Sequence, residues 1–178
     1  MEGAQDPRYE SADRIREWSR ELDQELLALV DDVRPEELRE DPGTGKWRID
    51  QNLAHLSEFP EYFARQLTRW IEGDQVVLGR TAEASAERND PIVRAGEPDL
   101  ETFRRRIRRA LESLEDALAG LRDQHIDAVT ENVKYGQEPL RNFLHRYCVG
   151  HKATHVRQLR ETIEAVRGRG GGDHGHGG

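Results

Sequence analysis

The sequence predicts an all-α protein, a four-helix bundle with a long crossover between its second and third helices. Three observations carry this. Four stretches repeat apolar residues three and four positions apart, the pattern of a helix buried along one stripe. A long polar connection, Gly73 to Glu97, separates the second stretch from the third, too long for a tight helical hairpin and long enough to cross the bundle. The 178 residues suffice for one domain with a sizeable core and are too few for two comfortable ones.

Residues 1–10 are polar, contain Pro7 and read as a flexible N-terminus; residues 11–167 hold the bundle. Ser11 can cap the first helix, whose stripe is Ile15, Trp18, Leu22, Leu26, Leu29 and Val33. Pro35-Glu36-Glu37-Leu38 suggests a short turn of helix, and Asp41-Pro42-Gly43-Thr44-Gly45 then breaks the chain. The second helix runs from Ile49 or Asp50 to about Ile71, burying Asn52, His55, Leu56, Phe59, Phe63, Leu67 and Trp70. Pro60 lies inside it and predicts a kink or a lost stretch of hydrogen-bond ladder near Leu56.

The third helix opens near Pro98-Asp99 with proline in its first turn. It shows the strongest stripe in the chain, Leu100, Phe103, Ile107, Leu111, Leu114, Leu118 and Leu121. Its run of Arg104 to Arg106, Arg108 and Arg109 reads as a solvated face, with Glu101 and Arg105 as an i, i+4 pair. Arg122 to Glu138 connects to the fourth helix, with a small β-excursion at Ala128-Val129-Thr130 and Asn132 to Gly136. The tail, residues 168–178, is rich in glycine and reads as disordered. His174 and His176 sit in that tail without a rigid frame.

The fourth stretch, Leu140 to Val166, reads as one amphipathic helix. At about 100° per residue, His151 and His155 lie about 40° apart on one face, a turn apart along the axis. They share that face with Leu140, Leu144, Tyr147, Cys148, Gln158, Thr162 and Val166, so both imidazoles point toward whatever the helix packs against. Two histidines four apart can hold one metal ion, although such a pair is also common in ordinary cores. His55 carries the same two readings, a core-edge histidine bonded to a neighbour or a ligand.

Composition narrows the function classes. Charged residues and the hydrophobic set each make up 35%, a polar balance, but the apolar periodicity argues against disorder. A net charge of −8 disfavours non-specific binding to nucleic acid or an anionic membrane. One cysteine excludes an intrachain disulfide framework and suits a reducing cytosol. The N-terminus lacks the apolar core of a signal peptide, and no apolar run approaches about 18 residues. The expectation is a soluble, cytoplasmic protein.

Two segments resemble the DinB/YfiT-like superfamily of four-helix-bundle metalloproteins. Trp47-Arg48-Ile49-Asp50-Gln51-Asn52-Leu53-Ala54-His55-Leu56 is similar to that family's tryptophan-led entry into its second helix, which ends in a histidine. Pro139 to Leu144, leading to His151-Lys152-Ala153-Thr154-His155-Val156-Arg157-Gln158-Leu159, is similar to its closing segment. The resemblance spans roughly residues 11–166. It implies a site of His55, His151 and His155 for a divalent metal, nickel or zinc, in a protein that is frequently a homodimer acting on a small molecule. Pro60 and Cys148 stand out beside that pattern; Cys148 reads either as a fourth ligand or as a small buried thiol.

Three neutral imidazoles leave a divalent ion its full charge and an open position. Such an ion lowers the pKa of bound water or holds a thiol as thiolate. The resemblance favours the second, S-transfer from a low-molecular-weight thiol of the mycothiol or bacillithiol type to an electrophilic carbon, with Gln158 or Asn52 orienting a ligand. Metal-assisted hydrolysis is an alternative that lacks an evident general base, because Glu58 lies about 60° from the direction of His55 on the helix. A non-catalytic bundle acting in binding or stress response is the third reading. No residue pattern names a catalytic group or an electrophile.

Overall fold

The structure is a computed structural model that describes residues 6–85 and 98–170. Its helices follow the predicted stripes. α1 spans Ala12–Asp32, with the Ser11 hydroxyl accepting from the Arg14 backbone N–H. It buries Ala12, Ile15, Ser19, Leu22, Leu26 and Val30, while Trp18 and Leu29 pack from the margin of the core. The second helix is two pieces, α2 (Ile49–Leu56) and α3 (Phe59–Ile71). Pro60 explains the break: it has no N–H for the Leu56 carbonyl, and it fits the first turn of a new helix. α4 spans Leu100–Ala119 and buries every predicted stripe residue, Leu121 just beyond its end included. Its Asp99 carboxylate accepts from the Thr102 N–H at 2.8 Å.

The arginine run of α4 is anchored to neighbouring carboxylates. Arg104 and Arg108 face Asp31, and Arg109 faces Glu61. Glu101 pairs with Arg104, one residue short of the predicted Arg105; Arg105 turns to the Thr102 hydroxyl instead.

The expected β-excursion is present and larger than predicted. β1 (Val77–Leu78), β2 (Val129–Asn132) and β3 (Gly136–Pro139) form one small sheet in that order. β2 and β3 are antiparallel, while β1 joins β2 in parallel with Val77 opposite Glu131. Part of the long second connection is therefore sheet. Gln66 of α3 clamps it, donating to the Gly79 carbonyl and accepting from the Gly79 N–H at 2.8 and 2.9 Å. Residues 86–97 of that connection lie outside the described residues, as do residues 1–5 and His174 and His176 in the tail.

The N-terminal segment differs from the expectation of looseness. Pro7–Tyr9 form a turn of 3₁₀ helix, and Tyr9 is fully buried, its ring edge-on to Trp18 and its hydroxyl 3.0 Å from His145 Nδ1. A buried aromatic outweighs the local polarity of the segment.

The last stretch is not one regular helix. α5 (Asp123–Ile126) precedes the sheet. α6 (Leu140–Phe143) then runs into a π-turn (Leu144–Cys148), and α7 (Val149–Gly170) follows, continuing past the predicted end at residue 167. Gly150 makes the wide turn possible. A Cβ there would stand 2.2 Å from the His145 carbonyl oxygen and 2.7 Å from its Nδ1. The extra residue in the turn shifts the angular phase of everything before it relative to α7. Tyr147 is accordingly only half-buried; Gln158, within α7 and predicted on its buried stripe, is exposed.

α7 is buried on two sides, against α1 and against α2. On the α1 side Lys152 is wholly enclosed, its Nζ donating to the Ser19 hydroxyl at 2.6 Å and paired with Asp23. Burial lowers the Lys152 pKa, which the Asp23 carboxylate opposes. At the far end Arg167 and Arg34 grip the buried Glu37 carboxylate, with Arg167 Nε 2.8 Å and Arg34 Nη2 2.7 Å from Oε1. Among the described residues no helix is long and apolar enough to cross a membrane.

Two outcomes follow from this packing. Gly150→Ala destabilises the fold by about 3 kcal/mol, roughly 6–12 °C in Tm, because the π-turn must rearrange. Gly168→Ala in the same helix, with open space around it, lowers Tm not at all; thermal melts of the pair check this. The hydrogen bonds from Arg167, then Arg34, hold the Glu37 pKa at about 2, against an ordinary 4.5. Its contribution is complete above the unfolded pKa and lost as pH falls toward about 2. Glu37→Gln therefore flattens the acid limb of stability across that window and lowers stability at neutral pH, as denaturant titrations at several pH values measure.

Candidate metal centre

The segment before α2 leaves the Gly43–Gly45 turn at Trp47 and enters the helix through Arg48, whose backbone N–H is taken by the Gln51 side chain at 2.9 Å. Seven residues on, at the last turn of α2, stands His55. Across from it the first two turns of α7 present His151 and His155. The structure brings these three together as the sequence predicts. His55 Nε2 lies 3.0 Å from His151 Nε2 and 3.0 Å from His155 Nε2. One ligand atom from each side chain falls within 4.8 Å of the others, a group that could hold a metal ion.

The rings sit in an aromatic setting. Phe59 meets His151 edge-on at 4.6 Å and lies 5.0 Å from His55. Trp47 stands edge-on to His55 at 5.6 Å and nearly parallel to His155 at 6.4 Å. Burial is the main reason all three imidazoles are held neutral, with pKa values lowered to about 2 for His55, about 3 for His151 and about 4 for His155. The other histidines and the Arg80 guanidinium add to the lowering at His55, and His155 and Arg80 at His151. Gln158 works in the opposite direction at His155.

The donor set fits a divalent ion. Three neutral nitrogens face one point, and with ordinary hydrogen bonds a single Nε2–H on His55 could serve only one of its two neighbours. Nitrogens about 2.1 Å from an ion and at right angles to one another are about 3.0 Å apart, against about 3.4 Å in a tetrahedron. The 3.0 Å from His55 to each of the other two nitrogens is the spacing of neighbouring ligands at right angles. The outer nitrogens are less well supported than is usual around a metal: the buried Nδ1 atoms of His55 and His155 have no hydrogen-bond partner among the described residues.

The other residues singled out in the sequence take different places around the three histidines. Cys148 does not join the three-histidine group. It is fully buried, and burial raises its thiol pKa; the π-turn takes it out of phase with the two histidines that follow. Asn52 is adjacent to the site but occupied with the backbone, its amide donating to the Arg48 carbonyl at 3.0 Å and reaching Thr162 Oγ1 at 3.4 Å. Gln158 and Asn52 both line a cleft of about 370 Å³ that opens onto His155, together with Lys46, Trp47, Glu161 and Thr162.

The residue that sequence reasoning missed is Arg80. It is almost fully buried, paired with Glu58 at 2.9 Å and laid over the Tyr62 ring at 3.9 Å. Nothing distinguishes it in the sequence from the many surface arginines, because its burial depends on the β1 pairing that delivers Gly79 to α3. Its pairing with Glu58 also settles the position of that carboxylate, which is engaged by a guanidinium.

The family model of the DinB superfamily matches residues 17–159. No curated protein matches the chain by sequence. Two solved structures share its fold: the mycothiol-dependent maleylpyruvate isomerase, 14% identical, and a histidine-to-alanine mutant of it, 15% identical. Each superposes with a TM-score of 0.59 over 87% of this chain and 59% of the other. The chain thus spans somewhat over half the length of these neighbours.

Proposed function

The chain belongs to the DinB superfamily, and from that premise we propose a divalent-metal-dependent S-transferase that joins a low-molecular-weight thiol to a small electrophile. The observation that supports it is the convergence of the His55, His151 and His155 Nε2 atoms. In this reading the three histidines are the ligands, nickel or zinc is the ion, and the thiol is of the mycothiol or bacillithiol type. A cytoplasmic homodimer completes the proposal. A mycothiol-dependent fold neighbour adds support for thiol chemistry.

When bound, the ion supplies a full +2 charge and open positions that favour the ionised form of a thiol brought to it. This chain's residues do the rest. Burial keeps the imidazoles unprotonated and so ready as ligands. Phe59 and Trp47 wall the histidines and limit water. Arg80 places a buried cation near enough to His55 and His151 to bear on their charge state. In the transfer, the sulfur–carbon bond forms as the bond from carbon to the leaving group breaks. The thiol proton leaves with that group or to solvent.

Hydrolysis has less support. The nearest candidate base in the sequence, Glu58, is held by Arg80. The expected outcome is that purified, metal-loaded protein converts an electrophile such as an activated aryl halide to a thioether only when thiol is supplied. Chelation or His155→Ala reduces that conversion to the uncatalysed background. Mass spectrometry of the products is the check; conversion unchanged by thiol, with no conjugate formed, contradicts the proposal.

A further inference from the structure

Arg80 is a buried cation set beside three histidines suited to another cation. It reaches that position on a strap. β1 pairs with β2, and the Val133 N–H donates to the Leu78 carbonyl at 2.9 Å. Gly79 follows with φ +95°, held by both hydrogen bonds of Gln66. A Cβ at Gly79 would stand 3.0 Å from Asn132 Nδ2 and 3.1 Å from Tyr147 Oη, so the strap lies tight against the sheet and the π-turn. Arg80 then turns inward over the rings of Tyr62 at 3.9 Å and Phe63 at 5.1 Å. Glu58 accepts from two of its nitrogens, at 2.9 and 3.4 Å, while Nε is buried with no hydrogen-bond partner among the described residues. The Glu58 backbone N–H donates to the His55 carbonyl at 3.1 Å, which ties the ion pair to the last turn of α2.

The two charges of the pair are not equally deep. The Arg80 side chain is 7% exposed and that of Glu58 19%, so the cation is the inner member. The guanidinium is also the one that bears on His55 and His151, lowering both pKa values. Aromatic rings surround it and little water screens it, so its field reaches further than that of a surface arginine. The other charges packed around the site are met locally, Lys152 by Asp23, Asp50 by Arg48 and Arg146 by Glu138. We propose that Arg80 sets how readily the three-histidine site ionises a thiol: its guanidinium, pinned by Glu58 with the cation inward, adds positive potential where His55, His151 and His155 converge. The inference rests on the thiol-transfer reading and adds the residue that tunes it. The thiol gives its proton to solvent as sulfur joins the ion, and a nearby positive charge favours that loss, at the expense of some affinity for the ion itself. Arg80 touches no reacting atom; it acts through the field at the site.

The test follows an uncharged thiol, 2-mercaptoethanol, on the full chain loaded with cobalt(II), a spectroscopic stand-in whose absorption changes when sulfur reaches it. The pH midpoint of that change is read for the wild type, Arg80→Gln, Arg80→Lys and Glu58→Gln. Arg80→Gln raises the midpoint by about one pH unit and Glu58→Gln lowers it by a similar step. Arg80→Lys, which keeps the charge, stays near the wild type. Competition with a chelator reads cobalt affinity in parallel: Arg80→Gln tightens it about tenfold and Glu58→Gln weakens it about tenfold. A clamp that merely held the chain together would move both charge-removing variants the same way. If Arg80→Gln does not fold, Glu58→Gln decides alone, since only the field predicts a lower midpoint. Midpoints that shift together, or not at all, overturn the inference and leave the thiol reading standing. Wild type that holds no cobalt, or shows no sulfur-dependent absorption, overturns the thiol reading and this inference with it.

Discussion

His55 Nε2 lies 3.0 Å from both His151 Nε2 and His155 Nε2, enclosed between α2 and α7, and a single hydrogen on it serves only one of the two. Each of the three is a neutral ring, because burial removes the charged form, and each presents a lone pair or an N–H toward the same point. A buried polar group without a partner costs about 1–3 kcal/mol. The fold concentrates that cost at one place and meets it with geometry suited to a cation. Buried charges elsewhere are met by opposite charges: Arg80 by Glu58, Lys152 by Asp23, Glu37 by two arginines.

Much of the fold can be understood as a means of holding that geometry. α7 carries two buried faces, and the two jobs are divided between neighbouring residues. His151 and His155 face α2, and Lys152 between them faces α1. A helix anchored on both sides cannot rotate without exposing an ammonium or separating the imidazoles. The π-turn sets the phase of that helix, and Gly150 is the residue that tolerates it. On the opposite side, the break at Ser57 and Glu58 ends α2 directly after His55, so that Phe59 and the following helix turn to wall the site.

The helical stripes are legible in the sequence because burial follows the period of the backbone. α4 shows this most fully, since every residue of its predicted stripe is buried. The histidine trio is legible for the same reason: His55 and the His151–His155 pair each occupy the inward face of a periodic stretch. Legibility fails where a single residue decides or where distant strands meet. Leu144 to Cys148 keep an ordinary helical spacing, so the π-turn leaves no trace in the pattern, and Tyr147 is displaced from its predicted place. The burial of Arg80 and Lys152 depends on partners far along the chain, Glu58 and Asp23. β1, two residues long, has no period to read, and Tyr9 is drawn inward against the polarity of its neighbours.

The central claim is that His55, His151 and His155 together hold a divalent ion. Elemental analysis of protein purified without an added tag and reconstituted with nickel or zinc tests it most directly, beside His55→Ala, His151→Ala and a double His174→Ala, His176→Ala variant. Near one ion per chain in the wild type and the tail variant, lost in both site variants, is the result the account predicts. No stoichiometric metal in the wild type after reconstitution, or metal lost only with the tail histidines, would contradict it.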